Sequence, residues 1–263
     1  MSEKSPVATD NIEKYGIVVL LDALGIRTTN ALESKTYFNK INKLRREDIP
    51  ILLLALFAAD KSMDTKALPD LTYRFFGDSI LITYQVADLT KLIQYFHKIA
   101  IFLNILIPTA IQSGMLFRGA LSIGEFLEEE PRDESSVTLG PAVSDAATWY
   151  DRLEIVGVIT TPATANSLRT MLSKVKEPFD EKLPLNKDII WYDVPIKDGF
   201  LSTYLFNWPA FIPVTDESAE RQPLFWYYDR ISSFRIPLGT EKKYQNTEIF
   251  FKFSIEHGAV DFF

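Results

Sequence analysis

Leu71–Gln85, LTYRFFGDSILITYQ, decides the fold: two runs rich in β-branched and aromatic residues meet at Gly77-Asp78, a pair that favours a tight hairpin tip. Upstream, Tyr15–Leu21 (YGIVVLL) is an unbroken apolar run closed by Asp22 and a turn at Gly25, the pattern of a buried strand. Between the two, about Asn30 to Ala59 reads as helix, with Pro50 expected to break it in two. Downstream, Leu92, Ile93, Phe96, Ile99, Ala100, Leu103 and Ile107 recur at helical spacing within Leu89–Gln112. Met115–Phe126 is then a strand leading into an acidic loop, Leu127–Ser136. Gly140-Pro141 precedes a helix of about Ala142–Glu154, Ile155–Thr161 is a strand stopped by Pro162, and Ala163–Val175 is helical. The order is β-α-β-β-α-β-α-β-α. Past Glu177 the prolines and aromatics predict the last strands and a wrapped extension over 178–240, then a terminal helix at Lys242–Ile255. The expected division is a flexible 1–14, a domain over 15–205 and an extension over 206–263.

A chain of 263 residues can bury a full core without staples. Its net charge of −7 argues against a nucleic-acid partner or a basic membrane patch. With no cysteine, disulfides, thiolate catalysis, iron–sulfur clusters and cysteine-ligated zinc are excluded, and two histidines, His97 and His257, are too few for a multi-histidine metal site. The N-terminus lacks the apolar core of a signal peptide, Ile49–Ala59 is too short to span a bilayer, and Lys91, Gln94, His97 and Lys98 interrupt the longer greasy segment. A cytoplasmic protein without membrane attachment is expected, with Leu92–Ile107 as core or dimer-facing helix. Chemistry falls to carboxylates, hydroxyls, Lys or Arg.

Two carboxylates stand out by position. Asp22 closes the first strand and Asp78 sits at the hairpin tip; each alone is a common turn or cap residue. In a β-α-β-β frame they fall side by side and can share divalent cations, which for magnesium need only one or two protein carboxylates plus water and phosphate oxygens. The turn Ala23-Leu24-Gly25-Ile26 offers backbone N–H groups to phosphates. Trp149 and Tyr150 are expected to pack as core or interface residues, and the Lys35–Arg46 charges to form a solvated face.

LLDALGI around Asp22 and FFGDSIL around Asp78 resemble the two metal-binding segments of class III nucleotide cyclases. FRGALSIGEF, GPAVSDAATWYDRL and IVGVITTPAT resemble, in order, the strand, helix and closing strand that follow in that family. The resemblance covers about residues 15–205 and is closest to divergent bacterial members that include the pyrimidine cyclases of anti-phage signalling. It implies an α/β fold, a mostly antiparallel sheet with helices packed on it. It also implies Mg²⁺ or Mn²⁺ on Asp22 and Asp78 with Ala23 alongside, a nucleoside triphosphate substrate, a 3′,5′-cyclic product and a homodimer. Arg74 stands where the family places its base-selecting lysine, four residues before Asp78, and that lysine's partner aligns near Val137. A guanidinium can donate to carbonyl oxygens of uracil, cytosine or guanine. Ser144 and Thr148 stand where the family has its ribose- and transition-state-binding asparagine and arginine. Arg152, read as one turn further along the same helix, and Arg118 are the candidate replacements, and Lys197 is the candidate phosphate lysine. The alternative is a catalytically degenerate cyclase-like module that binds nucleotide or a partner, which Ser144 and Thr148 favour.

Overall fold

The hairpin forms where its sequence puts it: β2 (Leu71–Phe76) and β3 (Ser79–Gln85) pair antiparallel across the Gly77-Asp78 turn. Gly77 adopts φ 62°, a left-handed conformation that only glycine takes without steric cost. The structure, a computed structural model, describes residues 12–24, 31–58, 71–129, 137–174, 185–212, 222–232, 234, 236 and 239–257.

β1 (Ile12–Ala23) lies between β3 and β4 (Phe117–Glu128), antiparallel to both. β5 (Thr138–Leu139) adds to β4, and β6 (Gly157–Thr160) joins β4 in parallel. A second hairpin, β7 (Ile189–Ile196) and β8 (Gly199–Phe206), completes an eight-stranded sheet ordered β2-β3-β1-β4-β6-β8-β7. Packed on it are α1 (Ala31–Lys43), α2 (Ile49–Ala58), α3 (Leu92–Gln112), α4 (Pro141–Tyr150), α5 (Pro162–Lys174), a single turn α6 (Leu185–Asp188), α7 (Gln222–Ser232) and α8 (Glu241–His257). The expected α/β class with a mostly antiparallel sheet is the one observed.

Alternation along β1 divides the molecule. Ile17, Val19 and Leu21 face the large core, where Phe96, Ile99, Leu103, Leu106 and Ile107 of α3 are buried. Each such side chain contributes roughly 1.5–3 kcal/mol of burial. On the opposite face Val18 packs with Leu81, Phe126 and, from α4, Ala142 and Ala146. A strand covered on both faces must be apolar at every position, which is why YGIVVLL is unbroken. α3 with the turn before it, Leu89–Gln112, is long and apolar enough to cross a membrane by length and composition alone. Most of the apolar residues of Leu92–Ile107 are spent on the core of its own chain, the first of the two roles expected for it, core or dimer-facing.

Several boundaries move for physical reasons. β1 begins at Ile12, inside the stretch read as flexible, because Lys14 is neutralised by Glu128 at 2.7 Å and buried. The expected break at Pro50 does not occur: helix continues over residues 31–58, loosening into a π-type turn at Leu44–Asp48 just before the proline. α4 stops at Tyr150, where the chain tightens as Arg152 and Leu153 donate to the carbonyls of Trp149 and Tyr150. α7 lies within the stretch expected as irregular extension. From the C-terminal segment, Trp208, Tyr227, Phe250 and Phe251 enter the large core, and the Trp208 indole N–H donates to Val156 O. α8 also grips the loop before β6: Asn246 donates to Glu154 O at 2.7 Å, and the Val156 N–H donates to Thr247 Oγ1 at 2.9 Å.

Candidate active site

The register of three strands builds the site. Asp22 lies directly opposite Ser79 on β3 and Arg118 on β4, so all three side chains leave the sheet on the α4 face. Ser79 Oγ donates to Asp22 Oδ1 at 3.1 Å, and Arg118 donates to Asp22 Oδ2 through Nε at 3.3 Å and Nη2 at 3.2 Å. The hairpin tip docks on the end of β1, where the Ala23 N–H donates to the Asp78 carbonyl at 3.2 Å. The Asp78 side chain is half-buried and has no hydrogen-bond or ion-pair partner among the described residues.

Arg118 is the hub. Besides Asp22 it donates to Asp151 Oδ1 at 2.8 Å and Asp151 O at 2.7 Å, and its guanidinium lies 5.8 Å from the centre of the Tyr150 ring. Lys197, in the β7–β8 turn, donates to Asp151 Oδ2 at 2.6 Å. The Lys197 hydrogen bond, followed by the Arg118 charge, holds the Asp151 carboxyl below its ordinary range against partial burial. Burial pushes the Tyr150 phenol up, and the charges of Asp22, Asp151 and Asp78 push it further, against Arg118. Tyr37 of α1 is raised more strongly, by burial first and then by Asp78 and Asp22. The two aspartates are brought together by the backbone, since Asp22 pairs with Ser79, the residue after Asp78, and the Ala23 N–H donates to the Asp78 carbonyl. Among the described residues, three carboxylates there, Asp22, Asp78 and Asp151, are accompanied by two cations, Arg118 and Lys197.

Asp22, Asp78, Arg118 and Lys197, four residues singled out from sequence, therefore come together. Others do not. The Ala23 and Leu24 N–H groups, read as a phosphate cradle, are spent on Asp78 O and Leu116 O, while Gly25 and Ile26 lie outside the described residues. Arg152 is not on the face of α4 because the helix has already ended; its guanidinium pairs with Asp198 at 3.0 Å and lies over Trp149. Ser144 and Thr148 are both exposed on α4, and the Thr148 hydroxyl is spent on Ser144 O at 2.8 Å. Arg74, read as a base contact, is buried. It is 4% exposed, donates to Glu128 at 2.7 Å and meets Thr138, the residue after Val137, through its other nitrogen. Glu128 also accepts from Lys14, Thr72 and Thr83.

Sequence reasoning missed Ser79 and Asp151 as hydrogen-bond partners here, and Tyr37 as a phenol shifted by these charges. Ser79 follows Gly77-Asp78 directly and was legible as the residue opposite Asp22; Tyr37 carries no local signal. Among the described residues no group of three or more His, Asp or Glu side chains gathers as a metal cage. A hard cation here would rest on two aspartates plus backbone and ligand oxygens, a donor set that suits magnesium or manganese.

No protein-family model matches the chain, and no curated protein matches it. Among solved structures it is similar to the adenylyl cyclase CyaB from P. aeruginosa, with TM-score 0.44 and 11% identity, covering 80% of this chain and 98% of that one. It is also similar to the adenylate/guanylate cyclase/hydrolase from Silicibacter pomeroyi, with TM-score 0.44 and 14% identity, covering 75% and 98%. A third is the guanylyl cyclase domain of the RhoGC fusion protein from the aquatic fungus Blastocladiella emersonii, with TM-score 0.44 and 13% identity, covering 75% and 97%. At these values the chemistry of the site rests on its own side chains.

Proposed function

We propose that the protein is a metal-dependent nucleotide cyclase, converting a nucleoside triphosphate to a 3′,5′-cyclic nucleotide with release of pyrophosphate. The observation that carries this reading is the Asp22–Asp78 pair beside Arg118, with the Asp78 carboxylate unpartnered among the described residues. Asp22 and Asp78 are the residues that would hold Mg²⁺ or Mn²⁺, with Ala23 contributing through its backbone. The ion supplies charge neutralisation for the triphosphate and a lowered pKa for the ribose 3′-hydroxyl. Ser79 and Arg118 fix the Asp22 carboxylate from both sides, so its orientation does not depend on the ligand. Arg118 and Lys197 share Asp151 and present two cations to departing phosphate oxygens, Lys197 from an exposed turn free to follow them.

The site is read as one half of a pair, completed in a homodimer by a second copy. A pyrimidine product and a role in phage defence rest on the sequence resemblance. Arg74 would contact a base only by leaving part of its Glu128 and Thr138 bonding. A second reading, a cyclase-like module that holds nucleotide without turnover, is favoured by the exposed Ser144 and the self-satisfied Thr148.

Incubation of the purified protein with each of the four triphosphates and Mn²⁺ decides between them. A cyclic product, abolished by Asp78→Asn, is expected. Tight binding of unchanged triphosphate, lost in Asp22→Asn, selects the module, and neither product nor binding removes both readings.

A further inference from the structure

We propose that the Asp151 carboxylate stands in for a phosphate of the substrate: it holds Arg118 and Lys197 until a polyphosphate chain binds, displaces it and takes both cations. The exchange presupposes the nucleotide-cyclase reading above and specifies what a substrate must replace in order to bind.

Two cations from separate parts of the sheet meet on this one side chain. Arg118 Nη2, from β4, lies 2.8 Å from Asp151 Oδ1, and Lys197 Nζ, from the β7–β8 turn, lies 2.6 Å from Oδ2. A guanidinium and an ammonium bridged by one oxyanion is an arrangement that a phosphate group satisfies equally well. The carboxylate is not what holds these segments together. Backbone bonds do that: the Lys197 N–H donates to Arg152 O at 2.9 Å, the Glu154 N–H donates to Pro195 O at 3.0 Å, and Leu153 bridges Ile196. Arg118 is likewise steadied through Nη1 by the Asp151 carbonyl at 2.7 Å, a bond that survives when the side chain swings away. Displacement costs little, because the Asp151 and Lys197 side chains are 55% and 45% exposed and their ion pairs are screened by solvent. The place vacated adjoins the metal-binding carboxylate, since Arg118 Nη2 also lies 3.2 Å from Asp22 Oδ2. A polyphosphate brings several negative charges to cations that Asp151 serves with one, so it wins the exchange.

The test compares Asp151→Asn with Asp198→Asn, each in the full chain, by calorimetric titration with Mn²⁺ plus inorganic tripolyphosphate. Asp198 follows Lys197 in the same turn and pairs with Arg152 at 3.0 Å, so its variant reports the effect of removing one nearby negative charge alone. Asp151→Asn is expected to bind tripolyphosphate about three- to tenfold more tightly than the unsubstituted protein, because two screened ion pairs no longer have to be broken. Asp198→Asn is expected to gain less than about twofold. Lys197→Gln, which removes one of the two cations, should bind about three- to tenfold more weakly. Unchanged or weaker binding by Asp151→Asn overturns the proposal, the latter by making the carboxylate a positioning group that binding requires. An equal gain in Asp198→Asn overturns it as a field effect only, and so does wild-type affinity in Lys197→Gln. If the unsubstituted protein does not bind tripolyphosphate, the proposal also falls. Failure of the cyclase reading looks different: no cyclic product from any triphosphate, with tripolyphosphate bound and the Asp151→Asn gain intact.

Discussion

The face of the sheet beneath α4 carries two charged clusters, about 26 Å apart along β1 at roughly 3.3 Å per residue, and they are built on opposite plans. At the Lys14 end, Glu128 lies between Lys14 and Arg74 with side chains 1–4% exposed, and Thr72, Thr83 and Thr138 complete the hydrogen bonding. At the Asp22 end, Asp151 is half in solvent and the Asp78 carboxylate has no partner among the described residues. A buried charge survives only when it is paired and hydrogen-bonded. The first cluster meets that condition from within the chain. The second, among the described residues, leaves the Asp78 carboxylate without a counter-charge.

That contrast can be broken most forcefully at Glu128. Glu128→Gln leaves Lys14 and Arg74 buried without their anion and should cost about 3–5 kcal/mol in urea unfolding. Affinity for Mn²⁺, measured on the folded fraction, should be unaffected. At the other end, Asp78→Asn should lower cyclase turnover by about 10²–10³-fold. Its thermal midpoint should hold or rise, since it relieves repulsion with Asp22 without breaking a bond. A large loss of stability in Asp78→Asn would erase the distinction between the two clusters.

Acid sharpens it further. Burial acts to raise the Glu128 carboxyl, but the Lys14 hydrogen bond and charge, then Arg74, outweigh it and leave the group lowered. A lowered folded pKa contributes stability that is present above the unfolded value, about 4.3, and is lost as pH falls through the folded value. The gap in stability between wild type and Glu128→Gln should therefore narrow as pH drops below about 4. The smallest effect is expected at Asp151, whose bonds to Arg118 and Lys197 are solvent-screened: Asp151→Asn should cost about 0.2–1 kcal/mol, fading with added salt.

Much of this was legible in the linear chain where a residue's job is local. Gly77-Asp78 gave away the hairpin because the turn demands a left-handed residue, and the apolar periodicity of Leu92–Ile107 marked α3 because one helix face meets the core. Asp22 and Asp78 were found for the same reason, as each ends an element. Arg152 went wrong through a local assumption, that α4 runs on past Tyr150, when the chain tightens there to reach β6. The surroundings of Arg74 were not legible for a non-local reason: Lys14, Glu128 and Thr138 come from three other strands.

The sequence by itself determined the α/β class, the order of most elements and the two acids that define the site, because propensity, turn chemistry and hydrophobic period act over a few residues at a time. Only the tertiary structure decided which cations those acids meet, and that Arg118 joins Asp22 to Asp151. Those relations depend on strand register and on how α4 docks, and charges far apart in the chain become neighbours only when the core closes.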